Sequence, residues 1–148
     1  MKVVRGIYKF WMTAIAVAVV VQIGAAGYGA FYAAKHLKDD GDTFAHHGWD
    51  HGWNVHTGLG WLIVYAILIA LVLALIARVG RPRIWFQLGL AVAGVLQVML
   101  ALAGEAHPVV GILHPLNAFV ILGLVGMITA REWGAGGHGG PRSSTALS

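Results

Sequence analysis

Cysteine is absent from the 148 residues, which excludes disulfides, iron–sulfur clusters and the thioether attachment of c-type haem. Charge is almost as scarce. Asp, Glu, Lys and Arg together make up only 11% of the chain, against about 25% in a typical soluble domain, so a water-facing surface of ordinary size cannot be built. No glycine-rich nucleotide fingerprint and no P-loop occurs. The basic residues form no patch away from the ends of apolar runs, so the high isoelectric point, near 9.8, gives no support to a nucleic-acid partner.

What is present is apolar sequence: 58% hydrophobic residues and a mean hydropathy of +0.73. Four runs, 10–34, 59–77, 84–103 and 109–130, are each long enough for the hydrocarbon core of a bilayer, which takes about 20 helical residues. None alternates with the period of two that a membrane β-barrel strand requires. The fold class is therefore all-α, a four-helix transmembrane bundle in the lipid bilayer. The sequence predicts one domain over 1–133 with helices near 10–34, 56–77, 84–104 and 108–130, then a disordered Gly/Ser-rich tail over 134–148. The first run exceeds the roughly 7 to 15 apolar residues of a signal peptide, so it reads as a retained helix. Lys2, Arg5 and Lys9 precede helix one, Arg78, Arg81 and Arg83 lie between helices two and three, and Arg131 and Arg142 follow helix four. Asp39, Asp40, Asp42 and Asp50 crowd the first connection, and Glu105 the third. The positive-inside rule then predicts a multi-pass protein of the cell membrane with both termini cytoplasmic.

The chain repeats itself. Helix two opens with HTGLGWLIV from His56 and helix four with HPLNAFVIL from His114, each a histidine followed by a small residue, an aromatic and aliphatics at matching places. The helices before them carry VQI around Gln22 and LQV around Gln97, each glutamine at a similar distance beyond its basic anchor, Lys9 or Arg83. Two repeated helical hairpins follow, related by an axis along the membrane normal. Both histidines enter from the outer side at comparable depth, with Asn117 one turn beyond His114 on nearly the same face. The inner halves of the runs hold almost nothing polar, so the polar residues mark an interior site in the outer half.

A zinc or copper site takes three or four ligands, and only two histidines lie deep in the runs. Haem iron needs two axial ligands, one on each face of the porphyrin, and four-helix bundles supply such pairs from facing helices. The sequence therefore points to His56 and His114 as ligands of a haem b iron. Gln97 and Asn117 are candidate hydrogen-bond partners, and Gly60, with Gly58, Gly111 and Ala118, would let a flat macrocycle approach the backbone; small residues serve helix packing as well. The first connection adds His36, His46, His47 and His51 to its aspartates. His47 and His51, spaced i, i+4, form a second and weaker metal candidate, while Trp49 and Trp53 at the same spacing suit anchoring in lipid headgroups.

Over residues 50–127, VHTGLGWLIV, FQLGLAVAGVLQVMLALAGE and ILHPLNAFVILGL resemble one four-helix half of haem A synthase and its small four-helix relatives. The resemblance implies a bundle whose second and fourth helices each give a histidine to haem near the outer membrane face, here His56 and His114. It also implies a dimer if two haems are to be held. The family's oxidising half carries a glutamate three residues before the second-helix histidine, and this chain has Trp53 there. That departure favours haem b binding with electron transfer or haem handling over a haem-modifying enzyme, with a quinone or a membrane redox protein as partner. Two other readings stay open: a cofactor-free accessory subunit of a larger membrane complex, and a divalent-metal binder acting through the His/Asp-rich loop.

Overall fold

The computed structural model describes residues 2–39 and 52–134, with side chains through Lys35 in the first segment. Its elements are α1 (Lys2–Asp39), α2 (Asn54–Ala77), α3 (Arg81–Ala106), the single turn α4 (Pro108–Gly111) and α5 (Leu113–Gly134). The described residues form no strand. Taking α4 and α5 as one span, four helical segments are long and apolar enough to cross a membrane. The all-α four-helix architecture expected from the sequence is thus the one observed.

The helices form a ring in which α1 packs on α2 and α5, and α3 on α2 and α5. α2 and α5 face each other diagonally, as do α1 and α3. The core is a stripe at helical spacing on each helix: Tyr8, Met12, Ile15 and Val19 on α1, Ile63, Ile67, Ala70 and Ala74 on α2, Leu90 on α3, and Ile121, Val125 and Ile128 on α5. Large apolar side chains such as Phe31, Trp85 and Phe119 remain exposed on the outer faces. That suits helices whose surroundings are hydrocarbon and whose backbone groups are satisfied internally.

The helices end for local reasons. Arg78 caps α2 in the left-handed region with φ 51, its N–H on Ala74 and Leu75 carbonyls, a position where its positive charge also meets the C-terminal dipole. Gly80 follows at φ 98, and Pro82 occupies the first turn of α3, where a missing N–H costs nothing. Pro115 lacks the N–H that would bond the Gly111 carbonyl, so helix α4 closes at Gly111 and α5 starts afresh.

α1 extends past its apolar run at both ends, from Lys2 to Asp39. The basic residues there do not stop a helix, and their long stems can carry charge out to an interface. Likewise Arg81 and Arg83 lie in α3, leaving residues 78–80 as the connection. The tail over 135–148 and the loop residues His46, His47 and His51 lie outside the described residues, as does the side chain of His36.

One expectation is corrected. The basic end of the bundle, where the inner halves of the runs hold almost nothing polar by sequence, carries a buried polar cluster. Gln87 is fully buried, and Glu132 is only 4% exposed. Tyr8 donates to Gln87 Oε1 at 3.1 Å, and Gln87 Nε2 reaches the Ile67 carbonyl at 3.4 Å. Glu132 pairs with Arg83 Nη1 at 3.0 Å and Arg5 Nε at 3.5 Å. The acid sits beyond the last apolar run, beside Arg131, where a linear reading assigns it to the flank; helix α5 turns it inward toward cations from α1 and α3.

Candidate cofactor site

At the end of the bundle away from the basic flanks, each hairpin builds a glutamine–histidine clasp. In the first, Gln22 Nε2 donates to the His56 backbone carbonyl at 2.7 Å, and His56 Nδ1 lies 3.4 Å from the Gln22 backbone carbonyl. In the second, His114 Nδ1 lies 3.0 Å from the Gln97 backbone carbonyl. A carbonyl can only accept, so each Nδ1 carries the hydrogen and each Nε2 keeps its lone pair. That is the tautomer in which a histidine binds a metal through Nε2 while its other nitrogen is held.

The side-chain amides of the two clasps differ. Gln97 Nε2 lies 3.2 Å from His114 Nε2, and Asn117 Nδ2 donates to Gln97 Oε1 at 2.7 Å and to the Ala93 carbonyl at 2.9 Å. In the first hairpin Leu59 occupies the place, three residues past the histidine, that Asn117 fills in the second. Gln22 Oε1 is accordingly buried without a hydrogen-bond partner among the described residues. Among the described residues, His56 Nε2 has no hydrogen-bond partner.

The two imidazoles meet across the interior, 6.2 Å between ring centroids with planes 70° apart. Their helices are diagonal neighbours, so side chains alone bridge this gap. A metal about 2.0 Å from a nitrogen of each ring would set the centroids roughly 6.3 Å apart, close to the observed distance. Trp53 stands edge-on against His56 at 5.7 Å. Beyond the level of Val19, Ile63, Ala93 and Ile121, the only buried residues among those described are small: Gly29, Ala33, Gly52 and Gly94. The large buried side chains of α2 and α5 therefore stop about two turns short of the histidines.

The glycines do not line this gap in the way the sequence led one to expect. A Cβ on Gly60 would come 3.1 Å from Gln22 Nε2, so Gly60 makes room for the clasp, and Gly58 has nothing within 4 Å of such a Cβ. Gly111 packs on Gly104, where an added Cβ on the latter would lie 2.8 Å from the Gly111 Cα. The first hairpin has the same feature: a Cβ on Gly29 would lie 2.7 Å from the Gly52 carbonyl oxygen. Gly29 and Gly104 each follow their glutamine by seven residues. That Gln-x6-Gly spacing was a readable signal of the hairpin repeat, stronger than the glutamines alone.

His56, His114, Gln97 and Asn117 are thus brought into one cluster, with Gln22 completing it. Glu105 and His107 stay exposed at the end of α3, and His107 caps that helix through its N–H on the Ala103 carbonyl at 2.8 Å. Among the described residues no group of three or more His, Asp or Glu could hold a metal ion. The weaker candidates His47 and His51 fall outside those residues. In comparisons with known proteins, no family model, no curated protein and no solved structure matches this chain.

Proposed function

We propose that this protein is an integral membrane haem b-binding protein in which His56 and His114 are the axial ligands, serving electron transfer or haem handling near the outer face of the cell membrane. The observation that carries the reading is the ring pair 6.2 Å apart, each ring held through Nδ1 by a backbone carbonyl of the neighbouring helix. The donor set fits haem iron, which takes two imidazoles and leaves its other positions to the porphyrin. The large buried side chains of α2 and α5 end below the histidines, so no bulky core residue stands between the two rings. The likeness of the segments around His56, Gln97 and His114 to one half of haem A synthase adds motif-level support. When bound, haem b would supply one-electron redox chemistry at iron, tuned by burial in an apolar bundle.

The chain's own residues have defined tasks. The Gln22 and Gln97 carbonyls fix the tautomer of the two imidazoles, and Trp53 limits the swing of His56. Basic flanks would hold both termini in the cytoplasm and set the histidines in the outer half, facing a quinone or a membrane redox protein rather than a cytoplasmic nucleotide. With Trp53 in place of the family's carboxylate, reversible redox cycling without porphyrin modification is the expected chemistry.

The test is the spectrum of the purified protein. A Soret band with bis-imidazole α and β bands is expected, with haem b recovered unmodified by mass. His56→Ala and His114→Ala should each lower haem retention at least about tenfold, whereas His46→Ala and His47→Ala should leave it unchanged. Full occupancy in both helix variants would remove the axial assignment. A preparation with neither Soret band nor bound metal would favour the accessory-subunit reading. Hydroxylated or formylated pigment that disappears with Glu105→Gln would restore a synthase-like activity.

A further inference from the structure

The two halves of the site are not equivalent, and the difference lies in where each glutamine amide points. Gln22 spends its N–H on the His56 backbone, 2.7 Å away, and leaves His56 Nε2 unengaged. Gln97 directs its N–H at His114 Nε2, 3.2 Å away, and covers the lone pair that a metal would use. The direction of the Gln97 amide is fixed. Its oxygen accepts from Asn117 at 2.7 Å, and Asn117 is itself anchored on the Ala93 carbonyl. Leu59 offers no such anchor to Gln22, whose buried Oε1 stays unpartnered.

Resting on the haem reading, we propose that His114 is an exchangeable axial ligand, that Gln97 is the positioning residue that receives it when it leaves the iron, and that the vacated position takes a small neutral diatomic ligand. The physical argument compares the two released states. An imidazole that lets go of a metal in an apolar interior exposes an unsatisfied lone pair, which is costly unless a donor stands by. For His114 the donor is in place and oriented. For His56 no described side chain provides one. A bound haem would therefore exchange its ligand at His114 rather than at His56, and the Gln97 amide would stand beside the released imidazole as its donor.

Small exogenous ligands compete with His114, so their apparent affinity reads the stability of its released state. The probe is carbon monoxide added to the haem-loaded, dithionite-reduced protein in detergent, followed at the Soret band. The wild-type protein should convert from a bis-imidazole spectrum to a carbon monoxide adduct. Gln97→Met, which keeps the length of the side chain but removes the donor, should weaken carbon monoxide binding roughly tenfold, the effect of one buried hydrogen bond on the competing state. Asn117→Leu, which frees the amide to rotate, should weaken it severalfold in the haem that is retained. Residual haem in His114→Ala should be five-coordinate and bind the gas without competition.

A purely structural role for Gln97 would change haem retention and leave the affinity of the retained haem untouched. Failure of the wild-type protein to bind carbon monoxide, or equal affinity in wild type, Gln97→Met and Asn117→Leu, overturns the exchange proposal while bis-imidazole bands keep the haem reading. Absence of any Soret band overturns both.

Discussion

Among the described residues, Glu132 is the one buried side chain that carries a formal charge. Its carboxylate is 4% exposed and is shared by Arg83 at 3.0 Å and Arg5 at 3.5 Å. The Arg83 contact lacks hydrogen-bond geometry at Oε1, so charge rather than directionality holds it. Removing one partner of a buried pair leaves charge uncompensated, and here two guanidiniums would be left. The side chains of Arg5 and Arg83 are 47% and 27% exposed, so water would recover part of that loss. Glu132→Gln is therefore expected to destabilise the protein by on the order of 2 kcal/mol, less than a fully dry pair. Thermal unfolding in detergent checks it, and an unchanged midpoint would show that the cluster is solvated. This residue was not legible as buried in the sequence, because a lone acid in a basic flank looks like surface until its helix phase is known. His56, His114, Gln97 and Asn117 were legible, because polar side chains inside apolar runs have few places to go.

At the scale of the element, the unit is the helical hairpin closed twice over, by a glutamine–histidine clasp and by a glycine–glycine approach about two turns further along. Backbone stands against backbone at these approaches, so a methyl group cannot be absorbed by a flexible side chain. Gly29→Ala, with its Cβ 2.7 Å from the Gly52 oxygen, and Gly104→Ala, 2.8 Å from the Gly111 Cα, should each cost about 1–3 kcal/mol through overpacking. Gly24→Ala meets nothing within 4 Å and should be neutral or slightly stabilising in the same unfolding assay. Equal behaviour of all three variants would count against the close approach. The four helices were readable from their apolar runs, whereas their ends were not. α1 continues through Lys2, Arg5 and Lys9 because the charge that limits a membrane run does not break a helix. The break at Gly111 is traceable to Pro115, four residues on, which becomes evident only once the helix is known to continue from His107.

At the scale of the molecule, polarity is divided between two ends, one built on imidazole and amide groups, the other on guanidinium and carboxylate. The absence of cysteine provides a clean background for mapping which end faces which compartment. In intact cells, Glu105→Cys at the histidine end should react with a membrane-impermeant maleimide, and Arg78→Cys at the other should react only after permeabilisation. The opposite pattern would invert the orientation and place the histidine end in the cytoplasm. The diagonal placement of α2 and α5 has a consequence for biogenesis. Each hairpin closes its own glutamine–histidine clasp without help from the other, so either can enter the bilayer as a paired unit. The interior site then belongs to neither and arises only when the two dock. A cofactor held there would act as a molecular rivet, and its arrival would be the event that distinguishes a mature protein from two correctly inserted but loosely associated halves.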